Sequence, residues 1–108
     1  MTTFDDREQA YEKKFALDQD LRFRAESRRN KMLAEWAASK LGISGAALEG
    51  YVKAVRRSDL EEKGDEDVFR KIRKDFDDGG VTVADTEIRQ VMGECLAKAV
   101  AEVESAKG

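Results

Sequence analysis

No helix-breaking residue occurs in the first 41 positions of this chain. Proline is absent from all 108 residues, and the first glycine is Gly42. Proline and glycine are the strongest local interrupters of an α-helix. The spacing therefore predicts one helix from about Thr3 to Leu41, stopped by Gly42 at the C′ position. Thr2 and Thr3 can each cap its start, and Thr3-Phe4-Asp5-Asp6 reads as a capping box. Asp5, Asp6 and Glu8 add negative charge where the helix dipole favours it. Such a helix would span roughly 58 Å at 1.5 Å per residue. A folded domain of this length has a radius of gyration of about 13 Å and is roughly 35 Å across. Near half of the helix must therefore bend, fray or project.

The change of pattern near Leu17 to Leu21 marks where. Beyond it, Leu21, Ala25, Met32, Leu33, Trp36, Ala37 and Leu41 recur at the spacing of a core-facing helix, with Trp36 expected as the main anchor. Before it, Phe4, Tyr11 and Phe15 fall within roughly 40° of one another around the helix axis. That stripe is thin for a core face but suits a segment lying in another protein's groove. A second reading lets the same aromatics cap one end of the core. An isolated helix of this length is marginal in water. Residues 1–18 are thus expected to be an arm that orders on a partner, and residues 19–108 the folded body.

Three further helices complete the body. Ser44 is expected to cap a second, with Leu48, Tyr51, Val52 and Val55 inward, fraying between Ser58 and Lys63. Asp65 opens a third, with Val68, Phe69, Ile72 and Phe76 inside, ended by Gly79-Gly80. Thr82-Val83-Ala84-Asp85 reads as the capping box of a fourth. That helix runs to about Ser105 through Ile88, Val91, Met92, Cys95, Leu96, Ala99, Val100 and Val103. No alternation of β-branched residues suggests strands. The fold class is all-α, a small four-helix bundle with a protruding N-terminal helical arm.

Composition excludes several functions. There is no histidine, hence no histidine base or metal ligand. The single cysteine, Cys95, cannot form an internal disulfide and sits on a core face as a small apolar residue. No catalytic constellation, metal site or cofactor is expected. The opening MTTFDDREQ lacks the basic and apolar regions of a signal peptide, and no apolar run approaches a membrane span. A cytoplasmic protein follows as the expectation. Net charge is −3, too balanced to imply nucleic acid.

Three charged clusters need a reading. Arg22, Arg24, Arg28, Arg29 and Lys31, opposed by Glu26, read either as a solvated helix face or as a contact for an acidic protein, a nucleotide phosphate or RNA. The latter is the alternative function: a nucleotide- or nucleic-acid-binding helical module. Asp59, Glu61, Glu62, Asp65, Glu66 and Asp67 lack the ligand alternation of a calcium loop and read as a solvated acidic turn. Lys71, Arg73 and Lys74 precede Asp75, Asp77 and Asp78 at the spacing of i,i+4 pairs.

The chain also resembles a known family. The run Thr2 to Glu8, then Ala10, Glu12, Lys14-Phe15-Ala16 and Asp18, is similar to the inhibitory zeta subunit of alphaproteobacterial ATP synthase. The likeness continues at Ala25, Arg28-Arg29-Asn30, Leu33-Ala34, Trp36-Ala37 and Leu41-Gly42. It returns at Gly64, Glu66-Asp67-Val68, Arg70-Lys71 and Gly80 to Met92. The resemblance implies a partner, the catalytic head of an F-type ATP synthase, with contacts to its α and β subunits and its central γ stalk. It implies that the N-terminal segment becomes helical in a catalytic α/β interface and blocks rotation in the hydrolysis direction. Phe4, Tyr11 and Phe15 would be the buried anchors. Asp5, Asp6, Arg7, Glu8, Glu12, Lys13 and Lys14 would supply polar contacts and register. The free protein is then expected to be a monomer, placed at the inner membrane only through the ATP synthase.

Overall fold

The computed structural model describes residues 19–60 and 65–107 as four α-helices. They are α1 (Gln19–Leu41), α2 (Ala46–Ser58), α3 (Glu66–Asp78) and α4 (Asp85–Lys107). No strand occurs among the described residues. Two of the helix ends follow from glycine. Gly42 adopts φ 76°, a left-handed conformation open to a residue without Cβ. The turn lets the Ile43 N–H donate to the Ala38 carbonyl at 2.9 Å. Gly80, at φ 69°, does the same after α3. Its N–H donates to Asp77 O at 3.3 Å, and the Val81 N–H donates to Phe76 O at 2.8 Å. These are the paired bonds of a Schellman motif, and Val81 packs against the core as it leaves.

Helix starts depart from the expected caps. Helix α2 begins at Ala46 with Gly45, not Ser44, at the N-cap, and no side chain caps it. Gly45 has φ 64°, so the chain turns into the helix one residue too late for Ser44 to reach the free N–H groups. Helix α4 begins at Asp85, and the Ala84 carbonyl accepts from both Glu87 and Ile88. Thr82 lies outside that turn. Val83 instead points inward, 8% exposed. Asp65 does precede α3, but its carboxylate caps nothing there.

The helices close two apolar clusters. The larger joins Leu33, Ala34 and Ala37 of α1, Val52 and Val55 of α2, Val68, Phe69, Ile72 and Phe76 of α3, and Ile88 and Met92 of α4, with Val83. Each such side chain removed from water contributes about 1.5–3 kcal/mol before the entropy of ordering is counted. A smaller cluster joins Leu21 and Ala25, near the start of α1, to Ala99 and Val103, near the end of α4. The two long helices therefore run antiparallel, and their free ends extend past the bundle as a two-helix stem. Helix α1 meets all three others, while α2 and α4 do not touch. The radius of gyration is 14.6 Å, with extents of 41, 30 and 23 Å. No helix among the described residues is long and apolar enough to cross a membrane.

Trp36 corrects one expectation. It is only partly buried and packs against the cluster from its edge. Its ring meets Phe76 edge-on at 5.5 Å and 73°, with Lys40 Nζ 5.7 Å from its own ring centroid. Phe76, fully buried, is the central aromatic. Trp36 sits on the border of the α1 core stripe, where an indole covers the core without entering it.

Candidate partner-binding surface

The expected contact residues Phe4, Asp5, Asp6, Arg7, Glu8, Tyr11, Glu12, Lys13, Lys14 and Phe15 lie outside the described residues. The body that carries them is defined by how its charges are arranged. In the basic stretch of α1, each arginine finds a carboxylate. Arg22 pairs with Glu26 at 3.0 Å, Arg24 with Asp20 at 3.0 Å, and Arg28 crosses to Glu102 of α4 at 3.1 Å. These exposed pairs add little stability, but they balance the stretch locally. Lys31 borders a shallow groove of about 330 Å³ between α1 and α2, floored by Leu48 and Val52. Lys53 and Arg56 share its rim with Glu35 and Glu49, so its charge is mixed.

Arg29 departs from both readings of that stretch. It is fully buried. Its Nε donates to Asn30 Oδ1 at 2.6 Å, and its Nη1 to Asp65 Oδ1 at 2.9 Å. Nη2 lies 3.6 Å from Asp59 Oδ1, and Asn30 Nδ2 donates to Asp59 Oδ2 at 2.9 Å. One arginine and its neighbouring asparagine thus hold the residue after α2 and the residue before α3 against α1. The signal was available: Arg29 lies one turn after Ala25 and one before Leu33, both core positions. Reading contiguous cations as one face concealed the helical phase.

The acidic cluster is correspondingly less solvated than expected. Asp59 is held by Asn30 and Arg29. Burial, opposed by those two partners, raises its carboxyl above the usual range. Asp67 is buried and accepts the Val68 N–H at 2.8 Å. Glu66 receives both Arg89 Nη atoms, at 3.0 and 3.1 Å. That hydrogen bonding lowers its carboxyl and raises the Arg89 guanidinium. Arg89 also lies 4.0 Å from the Phe69 ring centroid, so α3 and α4 share a cation–π contact and a fork at one site. Glu61 and Glu62 lie outside the described residues.

The pairs expected on α3 form: Lys71–Asp75, Arg73–Asp77 and Lys74–Asp78 at 3.0, 2.7 and 2.7 Å. Two of them do more. Arg73 Nη1 also donates to the Val83 carbonyl at 2.6 Å and to Asp85 at 3.0 Å, which pins the start of α4. Asp75 accepts the Tyr51 hydroxyl at 2.8 Å, and Lys71 lies 5.5 Å from the Tyr51 ring centroid. Cys95 is partly buried against the core, and burial pushes its thiol pKa up, the reverse of an activated nucleophile. Among the described residues no group of three His, Cys, Asp or Glu could hold a metal ion.

A closed helical core with its charges turned to one another defines the class: a small all-α domain. The family model for ATPase inhibitor subunit zeta matches residues 1–102. The chain belongs to this family, whose name describes an ATPase inhibitor subunit. Among solved structures, one described as the solution NMR structure of a protein is 36% identical, with a TM-score of 0.69. The match covers 80% of this chain and 98% of that one. Comparison with curated proteins finds no match.

Proposed function

We propose that this protein inhibits ATP hydrolysis by an F-type ATP synthase, residues 1–18 serving as the inhibitory arm and residues 19–108 as the body that holds it. The arm enters a catalytic α/β interface of the enzyme head and reaches the central γ stalk. It becomes helical there and blocks rotation in the hydrolysis direction. Phe4, Tyr11 and Phe15 anchor it, and Asp5, Asp6, Arg7, Glu8, Glu12, Lys13 and Lys14 set its register. The observation that carries this reading is that the family match begins at residue 1 and runs through the arm. No glycine or proline lies between residues 1–18 and the described helix α1.

The test is ATP hydrolysis by the purified enzyme head with added protein. Phe4→Ala and Phe15→Ala should each raise the half-inhibitory concentration roughly thirtyfold or more, the cost of truncating a buried aromatic anchor. Reversing Arg28 to Glu should matter less, since exposed charges mainly alter association rate and salt dependence. Seam variants that inhibit as well as the wild type would remove the arm from the mechanism.

A further inference from the structure

Most cations of the body are spent inside it. Arg22, Arg24 and Arg28 on α1 each hold a carboxylate, as do Arg73 and Lys74 on α3 and Arg89 on α4. Lys31 and Arg56 are two exceptions that face one groove. Both are exposed, and neither pairs with a carboxylate among the described residues. They line the groove between α1 and α2 from opposite walls, Lys31 on α1 and Arg56 on α2. Lys53, on the same wall as Arg56, is held only at 3.8 Å by Glu49. Glu35, one turn past Lys31, is also unpaired among the described residues. Between the walls lie Leu48, partly buried, and Val52, 8% exposed. At Gly45, no atom of the described residues lies within 4 Å of where a Cβ would stand, so the groove is open at that end.

We infer that this groove docks a protein segment that carries an apolar side chain next to carboxylates, and that the segment belongs to the ATPase head. This rests on the reading of the chain as an inhibitor of that enzyme, not on residues 1–18. The apolar side chain suits the floor at Leu48 and Val52. The carboxylates suit Lys31 and Arg56, which approach from two helices, and a guanidinium offers a carboxylate two parallel donors. Glu49 is already drawn to Lys53, so Lys31 and Arg56 outweigh the one unpaired carboxylate, Glu35. The same charges disfavour a nucleic acid or a polyphosphate. A polyanion long enough to fill the groove would also meet Glu35 and Glu49, and like charges at close range cost affinity. The rest of the basic stretch on α1 is balanced locally, so it supplies no cationic stripe for a phosphate backbone to follow. A protein segment can place its carboxylates at the cationic end and leave Glu35 to solvent.

The full-length chain carrying Lys31→Glu with Arg56→Glu is compared with wild type for inhibition of ATP hydrolysis by the purified enzyme head. Lys40→Glu with Lys98→Glu makes the same change in net charge away from the groove. Melting temperature and sedimentation are followed in parallel. At low salt the groove pair should raise the half-inhibitory concentration about tenfold or more, and the control pair less than about twofold. The groove pair should melt within about 5 °C of wild type, since both side chains are exposed. Glu35→Lys should lower the half-inhibitory concentration, because it removes the carboxylate that opposes an acidic segment. If wild type inhibits and the groove pair does not exceed its control, the groove is overturned and the inhibitor reading stands. If wild type does not inhibit, the inhibitor reading fails and the groove falls with it. Weaker inhibition by Glu35→Lys would make the segment basic. A wild-type dimer dissolved by the groove pair would assign the groove to a second copy. Binding of ATP or RNA by wild type, lost in the groove pair, would assign it to phosphate. Each of these three results overturns the inference.

Discussion

Arg29 is where a single residue decides most. A guanidinium taken wholly out of water is costly unless charge and hydrogen bonds replace its hydration. Here Asn30 and Asp65 accept hydrogen bonds and Asp59 adds its charge at 3.6 Å, while Nη2 makes no hydrogen bond among the described residues, and the arginine in turn holds both ends of the α2–α3 connection. Removing one side of a buried ion pair costs about 3–5 kcal/mol, against a total of about 5–15 kcal/mol for a domain of this kind. Arg29→Ala should therefore lower the urea midpoint drastically, whereas Arg22→Ala, at an exposed i,i+4 pair, should stay within about 0.5 kcal/mol. Equal and small effects would place Arg29 outside the core. Asp59 works against its neighbours in one respect. Its raised carboxyl keeps its proton in the folded state to a higher pH than in the unfolded chain. By itself it therefore lowers stability as pH rises through that window. The same five cations read in sequence as one basic face; only the helical phase separates Arg29 from the rest.

At the level of elements, stops were readable, while the starts of α2 and α4 were not. Gly42 and Gly80 end their helices because glycine takes φ near +70° without the strain most residues incur there. Starts depend on partners from elsewhere: Arg73 of α3 reaches Val83 and Asp85 and so sets where α4 begins. The clasp between α2 and α3 is of the same kind, with the Tyr51 hydroxyl on Asp75 and Lys71 beside both. Burial and the Asp75 carboxylate push the Tyr51 pKa well up. A group whose folded pKa is raised contributes stability below its unfolded value, about 10 for tyrosine, and loses it as pH climbs further. Tyr51→Phe should cost about 1.5–3 kcal/mol near neutrality, as for a hydrogen bond to a charged group. The gap between wild type and variant should narrow above pH ~10. Denaturant unfolding at pH 8 and pH 11 tests this, and a constant gap would break the assignment. Cys95, also raised, adds a loss of the same sign from a lower pH in both proteins and cancels in the comparison.

For the whole molecule, the question is whether arm and body are separable. The described clusters run from Leu21 to Val103. On the proposed division into arm and body, deleting residues 2–18 should shift the melting temperature by less than about 5 °C while abolishing inhibition of ATP hydrolysis. A much larger drop would make the arm part of the fold. The all-α class, the C-terminal ends of the helices to within a few residues, and nearly all of the described apolar core were legible in the sequence. The reason is that glycine placement and the 3.6-residue period are local properties that survive packing. The same local reading is what proposes residues 1–18 as an arm, since a helix longer than the domain with a thin aromatic stripe cannot all be core. Tertiary structure alone decided that Trp36 stays at the edge, that Ser44 and Thr82 cap nothing, and that Phe23 is left uncovered. Each depends on where one helix stops beside another, and a charge or ring seen in sequence carries no record of which distant element will end within its reach.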